Sequence, residues 1–544
     1  MSLHHSRRGR LALAVGAFGA SAILLAGCAG GGGGNATDGG SSDEPIIVGT
    51  TDKVTTLDPA GSYDNGSLAV QTQVFPYLVN TDYNSTEVVP DLAETAEFTS
   101  PTEYTVTLPA GLKWANGNDL TSSDVKFSFD RNIAIADPNG ASSLLYNLDS
   151  IETPDDTTVV FHLKSANDQV FPFILTSFPG AIVDDEVFAA DAVTPDADIV
   201  AADAFGGPYR ITSWDFNKTV EFEPNENYQG LLDPAENSGV ILSYFADSSN
   251  LKLAVQEGDI DVAYRSLSAT DVDDLSGNDN VQVIDGPGGE IRYIVFNFDT
   301  QPYGAKTAEA DAAKALAVRQ AVADLIDRDA LSTQVYKGTY TPLYSYVPAG
   351  FNGATEVLKE LYGDGNGAPS ADKARETLEA AGVEIPVQLS LQYNPDHYGP
   401  SSGDEYALIK SQLEADGLFA VDLKSTEWVQ YAKDRTADVY PAYQLGWFPD
   451  YSDADNYLTP FFLTENFLGN HFSDPAVDEL ILKQAVETDP AARTQEIEQI
   501  QQLVAEQLST VPYLQGAQVA VAGADVDGVI LDASFKFRFA PVTK

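Results

Sequence analysis

Gly111-Leu112-Lys113-Trp114-Ala115-Asn116-Gly117 runs through Asn118-Asp119 into Leu120-Thr121-Ser122-Ser123-Asp124-Val125-Lys126-Phe127-Ser128, and the pattern changes twice on the way. The first residues read as a strand that ends in a tight Asn-Gly turn, with Trp114 as a core anchor. Thr121-Ser122-Ser123-Asp124 then reads as a capping box with Asp in place of the preferred Glu, opening a helix towards Arg131. Upstream, Val89-Pro90-Asp91-Leu92-Ala93-Glu94 leads into Tyr104-Thr105-Val106-Thr107-Leu108, which alternates as a half-buried strand does.

The same alternation of strand and helix continues in both directions. Short β-branched or aromatic runs bounded by turn residues predict strands at Ile46–Gly49, Val159–Leu163, Val240–Phe245, Ile291–Asn297, Val387–Gln392 and Gln518–Ala522. Helical spacing places Leu316, Val318, Val322 and Leu325 on one face of a helix over Asp311–Ile326. Ala371–Ala381 follows Pro369-Ser370 and stops at Gly382. Arg493–Leu508 carries Ile497, Ile500, Leu503, Val504 and Leu508 along one side. This order predicts α/β domains, with Gly206-Gly207-Pro208 and Gly286-Pro287-Gly288-Gly289 as candidate crossings between them.

The chain has 544 residues, more than one ordinary core accommodates, and 43% of them are hydrophobic. Its start reads as a leader: Arg7, Arg8 and Arg10 precede an uncharged run from Leu11 to Ala26, too short to span a bilayer. The run ends in Leu25-Ala26-Gly27-Cys28, which is similar to the bacterial lipobox, where the cysteine thiol is lipidated and cleavage precedes it. Residues 1–27 are therefore expected to be a signal peptide, and 28–43 a lipidated, Gly- and Ser-rich tether. The route of export, Sec or Tat, is left open by Ser6-Arg7-Arg8-Gly9-Arg10. Cys28 is the only cysteine, so no internal disulfide is expected.

Net charge is −51, and without the three leader arginines it becomes 27 − 81 = −54. Such a surface repels nucleic acid and anionic headgroups, which excludes those partners and suits a solubility role. No HExxH, GxSxG, P-loop or paired GxGxxG motif is present, so neither a catalytic residue, nor a metal, nor a cofactor is predicted.

Taken in order, these blocks resemble the extracytoplasmic solute-binding proteins of peptide-type ABC importers, solute-binding family 5. The resemblance starts at Thr56-Leu57-Asp58-Pro59-Ala60 and includes the block quoted at the outset. It continues through Gly207-Pro208-Tyr209-Arg210-Ile211, Asn225-Glu226-Asn227-Tyr228 and Gly258-Asp259-Ile260-Asp261-Val262. Arg319-Gln320-Ala321, Ile326-Asp327-Arg328-Asp329-Ala330-Leu331, the segment from Gly446-Trp447 to Leu458, and Ser473-Asp474-Pro475 complete it. The family implies a bilobal, periplasmic-binding-protein-like α/β fold with a hinge and an extra domain in one lobe. On that pattern domain I is 44–82, 205–288 and 513–544, domain II is 83–204, and domain III is 289–512.

The resemblance also implies a role: a monomeric, lipid-anchored protein on the outer face of the cell membrane. It would capture peptides by cleft closure and pass them to ABC transporter permease subunits. Asp450, in Gly446-Trp447-Phe448-Pro449-Asp450, falls where peptide-binding members pair a carboxylate with the ligand α-amino group. Trp447 and Trp428 would line the cleft, and Tyr63 and Asn65 fall where members offer backbone bonds to a ligand held like an added strand. Some oligopeptide binders carry an arginine where this chain has Gln444, which leaves recognition of the ligand carboxylate unassigned. Two alternatives stand: the same fold binding a sugar, opine or metal chelate, and a secreted hydrolase or partner-binding lipoprotein.

Overall fold

The computed structural model describes residues 44–399 and 401–544. The leader, Cys28 and the tether lie outside the described residues. Among the described residues, no helix is long and apolar enough to cross a membrane.

Local signals act where the sequence places them. Thr121 caps the helix Ser122–Ile135 with both halves of the capping box made, Asp124 returning its carboxylate to the Thr121 N–H. Asp311 caps Ala312–Leu325, and Ser370 caps Ala371–Ala380, with Gly382 just beyond in the left-handed region. Two expectations change. The longest helix is Pro490–Gln507 and begins before Arg493, because Asp489 accepts from two N–H groups and Pro490 occupies the first helical position. Gly111–Trp114 is not a strand; a single bridge pairs Lys113 with Asp119 around the turn, and Trp114 is buried as expected.

Four sheets form. The largest has seven strands, in the order Val281–Gly286, Gln518–Gly523, Val262–Tyr264, Ile46–Thr50, Val240–Tyr244, Thr219–Pro224 and Tyr209–Asp215. Ile46–Thr50 pairs in parallel with both neighbours and is almost wholly buried, as a central parallel strand must be. A six-stranded sheet runs Tyr340–Pro342, Thr510–Gly516, Ile291–Phe296, Ala442–Trp447, Val387–Tyr393 and Phe419–Ser425. A four-stranded antiparallel sheet collects residues 95–163, and Val79–Thr81 pairs with Val88–Pro90. Each of the three larger sheets has its own apolar core.

The family motifs tie these units together. Asp58 is fully buried and accepts both terminal guanidinium nitrogens of Arg131, at 2.8 and 2.5 Å, as well as the Thr194 N–H at 2.6 Å. Arg131 belongs to the helix packed on the four-stranded sheet, so this pair joins it to the segment after Ile46–Thr50.

The chain passes from the seven-stranded to the six-stranded sheet at residues 287–290 and returns at Ala517. The two passages touch: Gly516 donates its N–H to Glu290 O at 2.8 Å, and the Gln515 amide donates to Gly288 O at 2.6 Å. A side chain on Gly288 would place its Cβ 1.4 Å from Gly516 O, which no packing change can relieve. Two lobes thus meet at a pair of short crossing segments, the arrangement about which hinge closure occurs.

Candidate functional site

A cavity of about 240 Å³ lies against these crossings. One wall is residues 264–269, which follow Val262–Tyr264; the other is built from Arg292, Tyr340, Tyr398 and the loop Phe448-Pro449. Gly288, Gly289 and Ala517 form the hinge side, and Asn65 reaches it from the first helix of the seven-stranded lobe. Arg265 and Ser266 both adopt left-handed backbone angles, φ 55° and 66°. The turn is held by Arg265 N–H to Val519 O and by Ser266 Oγ accepting from Thr51 N–H, both 3.1 Å. Two consecutive non-glycine residues in this region are uncommon and turn the Arg265 side chain out of the sheet at the cavity.

Asp450 stands on the loop that continues strand Ala442–Trp447. Asn456 organises this loop: its Oδ1 accepts from Asp450 N–H and from Trp447 Nε1–H, both at 2.9 Å, and its Nδ2 donates to the Asp450 carboxylate at 3.1 Å. From the opposite lobe, the Tyr63 hydroxyl donates to Asp450 Oδ1 at 2.5 Å. Burial pushes the Asp450 carboxyl above the ordinary range, and the donors Tyr63 and Asn456 oppose that shift. The result is a carboxylate with hydrogen bonds and, among the described residues, no cation paired with it. Its neighbours are spoken for: Asp453 forms a bidentate pair with Arg493 at 2.7 and 2.8 Å, and Asp455 accepts from Thr459 and Gln484.

The tryptophans stand apart from the cavity lining. Trp447 is half-buried and packs edge-on against Phe461 and the exposed Phe467, with centroids 5.1 and 5.6 Å away. Trp428, at the start of helix Trp428–Thr436, stacks on His397 at 3.8 Å and meets the edge of Tyr398, which does line the cavity. Of the predicted residues, the fold brings Tyr63 and Asp450 into contact, sets Asn65 in the wall, joins Trp447 to Asp450 through Asn456, and sets Trp428 against the wall residue Tyr398.

Arg292 is the charged residue most enclosed at the cavity, 3% exposed on strand Ile291–Phe296. Its guanidinium lies between the rings of Tyr398 and Tyr340, 4.9 and 5.4 Å from their centroids. Nη2 donates to Tyr398 O at 2.8 Å and Tyr340 Oη at 3.1 Å, and Nε faces Glu290 Oε1 at 2.7 Å. Its partner across the ladder is Gly446, where a Cβ would strike the Tyr398 ring.

Residues 87–469 match the family model described as bacterial extracellular solute-binding proteins, family 5 middle. The chain belongs to that family. Among curated relatives, the dipeptide-binding protein DppE of Bacillus subtilis (strain 168) is 23% identical over 513 residues, covering 89% of each chain. Among solved structures, HbpA2 from Haemophilus parasuis superposes with a TM-score of 0.77 at 20% identity, covering 92% of this chain and 99% of that one. DppA from Helicobacter pylori, in complex with peptide STSA, gives 0.71 at 20% identity over 92% and 98%. The two-lobed α/β fold is thus that of the family.

In this family 5 chain, sequence reading missed Arg265, Glu290, Arg292 and Tyr398. A signal for one of them is present: Ile291-Arg292-Tyr293-Ile294-Val295-Phe296 carries a guanidinium inside an otherwise apolar run, and a buried cation requires partners. Nothing local marks the others. Gln444, by contrast, is fully buried, donating to Glu405 and Ser402 and accepting from Asn394 N–H.

Proposed function

We propose that this protein captures peptides in its cleft by closure of the two lobes and delivers them to an ABC importer. The observation that carries this reading is Asp450: a half-buried carboxylate with no cation beside it among the described residues, on the loop whose Phe448 and Pro449 line the cavity. A ligand ammonium supplies the missing counter-charge through a charge-assisted bond. Tyr63, reaching the same carboxylate from the other lobe, couples occupancy to closure. Backbone groups along the cavity edge hold the ligand as an added strand.

The finer features belong to the same proposal: attachment to the outer face of the membrane through Cys28, action as a monomer, and no catalysis. Three separate apolar cores support three domains, for which we propose domain I at 44–82, 205–288 and 513–544, domain II at 83–204 and domain III at 289–512, although Tyr513 and Leu514 pack in the core of the six-stranded sheet and Ala181, Val183, Phe188 and Ile199 in that of the seven-stranded sheet. Native mass spectrometry of the purified protein, before and after denaturing release of small molecules, tests the ligand class. Release of peptides supports the reading. A released sugar or chelate, or an empty protein that ignores an added peptide library, overturns it.

A further inference from the structure

We infer that Lys536 and Asn80 close an amide crosslink within this chain, the lysine amine displacing the asparagine side-chain nitrogen as ammonia. This is a single reaction of the chain on itself, away from the cleft and with no substrate turned over. Asn80 lies on strand Val79–Thr81, and Lys536 lies in the C-terminal segment beyond the last strand, Gln518–Gly523. Folding brings them together across 456 residues, with Lys536 Nζ 2.7 Å from Asn80 Oδ1. Both are buried, 8% and 6% exposed. Three features of their surroundings turn that contact into a reactive one.

The first is the state of the amine. A lysine attacks a carbonyl carbon only in its neutral form, which burial and a neighbouring cation favour. Lys536 has both: it lies 5.2 Å from the centroid of the Tyr77 ring, pairs with no carboxylate among the described residues, and shares its acceptor with Arg538. Burial, reinforced by Arg538, brings its pKa down to about 7, against the opposing pull of Asp91 and Asp532. A large share of the molecules therefore carries the free amine at neutral pH.

The second is Arg538 itself. Its Nη2 donates to the same Asn80 Oδ1 at 3.4 Å and also to Thr81 O, while its Nη1 is enclosed without a hydrogen bond among the described residues. Attack on Cγ moves charge onto Oδ1, so a cation fixed at that oxygen stabilises the tetrahedral intermediate more than the starting amide.

The third is Asp91, which accepts from the other end of the amide, Asn80 Nδ2, at 2.9 Å through Oδ2. Its Oδ1 is held by the Tyr228 hydroxyl at 3.1 Å and the Leu231 N–H at 2.7 Å. An amide nitrogen leaves only as it is protonated, and a carboxylate bonded to it relays that proton. The balance is complete: Nζ–Cγ forms, Cγ–Nδ2 breaks, one Nζ proton passes through Asp91 to the departing nitrogen, and ammonia leaves. No oxidant or other reactant is needed. The product ties the C-terminal segment to the strand beside it, in a chain whose only cysteine, Cys28, allows no internal disulfide. Like a disulfide, such a tie across a long loop restricts the unfolded chain.

The test is peptide mapping of the purified full chain after prolonged incubation in its folded state, by trypsin digestion and tandem mass spectrometry. The peptides containing Asn80 and Lys536 should run as one branched species, lighter than the two linear peptides by one ammonia, and trypsin should no longer cleave after Lys536. Lys536→Arg keeps the charge, lacks the attacking amine, and should yield the two peptides separately. Asn80→Asp should give the same branched product with loss of water in place of ammonia. Asp91→Asn should slow closure about a hundredfold or more, the share that a general acid–base group provides. Separate peptides from the wild-type chain overturn the inference whatever the variants do, and so does an ammonia loss that maps elsewhere, such as to the Asn116-Gly117 turn.

Discussion

Asp450→Asn separates binding from stability. In the empty cleft the Asp450 carboxyl is held above its usual range by burial, so its ionised form is disfavoured in the folded chain. An acid whose folded pKa is raised contributes stability that is complete below its unfolded value, near 3.9, and is lost as pH rises through the raised one. Asparagine is neutral at every pH and still accepts the Tyr63 hydroxyl. At pH 7 the empty variant should therefore unfold at the wild-type temperature or slightly above it. Binding should respond in the opposite direction. Removing one partner of a buried pair costs about 3–5 kcal/mol, and because asparagine keeps the shape and one acceptor, the lower end applies. About 3 kcal/mol corresponds to a loss on the order of a hundredfold in affinity. The assay is calorimetric titration with a peptide identified by its release from the native protein, alongside differential scanning calorimetry of both proteins without ligand. A loss of affinity smaller than about threefold, with folding intact, would refute the role given to Asp450.

Acidification should weaken peptide binding, because the ammonium pairs with the ionised carboxylate, and the loss should begin at a higher pH than an ordinary aspartate dictates. Tyr63→Phe removes a donor that favours the ionised form, so the acid limb of the affinity profile should move to still higher pH; an unmoved limb counts against the contact. Arg131→Met strands Asp58 without its cation and should destabilise the fold by about 3–5 kcal/mol in urea unfolding, with the peptide contacts untouched. Gly288→Ala forces a methyl group into Gly516 O and should abolish soluble expression or the close pairing of the hinge strands, whereas an alanine at Gly277, which has open space, should be silent.

Much of the fold was legible because its signals are short-range. A cap needs a side chain within three residues of the N–H it accepts, as at Thr121, Asp311 and Ser370, and a half-buried strand declares itself by alternation, as Glu103–Thr107 does. The ordered family blocks pointed to two lobes and to Asp450. Gly111–Trp114 has strand-like residues but one bridging partner, which no local pattern reveals, whereas the start of Pro490–Gln507 is legible in Asp489-Pro490, a capping carboxylate followed by a proline at the first helical position.

By itself, then, the sequence determined the helices and strands, their α/β order, the family, and the carboxylate on which the candidate site turns. Only the tertiary structure decided what surrounds that carboxylate. Tyr63 and Asp450 are 387 residues apart, and Arg265, which follows a strand of one sheet, and Arg292, on a strand of another, line one cavity only because the chain crosses between the lobes. The same folding set the half-buried Trp428 and Trp447 against His397 and Phe461. Such contacts depend on where two sheets come together, and no periodicity within a strand or helix encodes that.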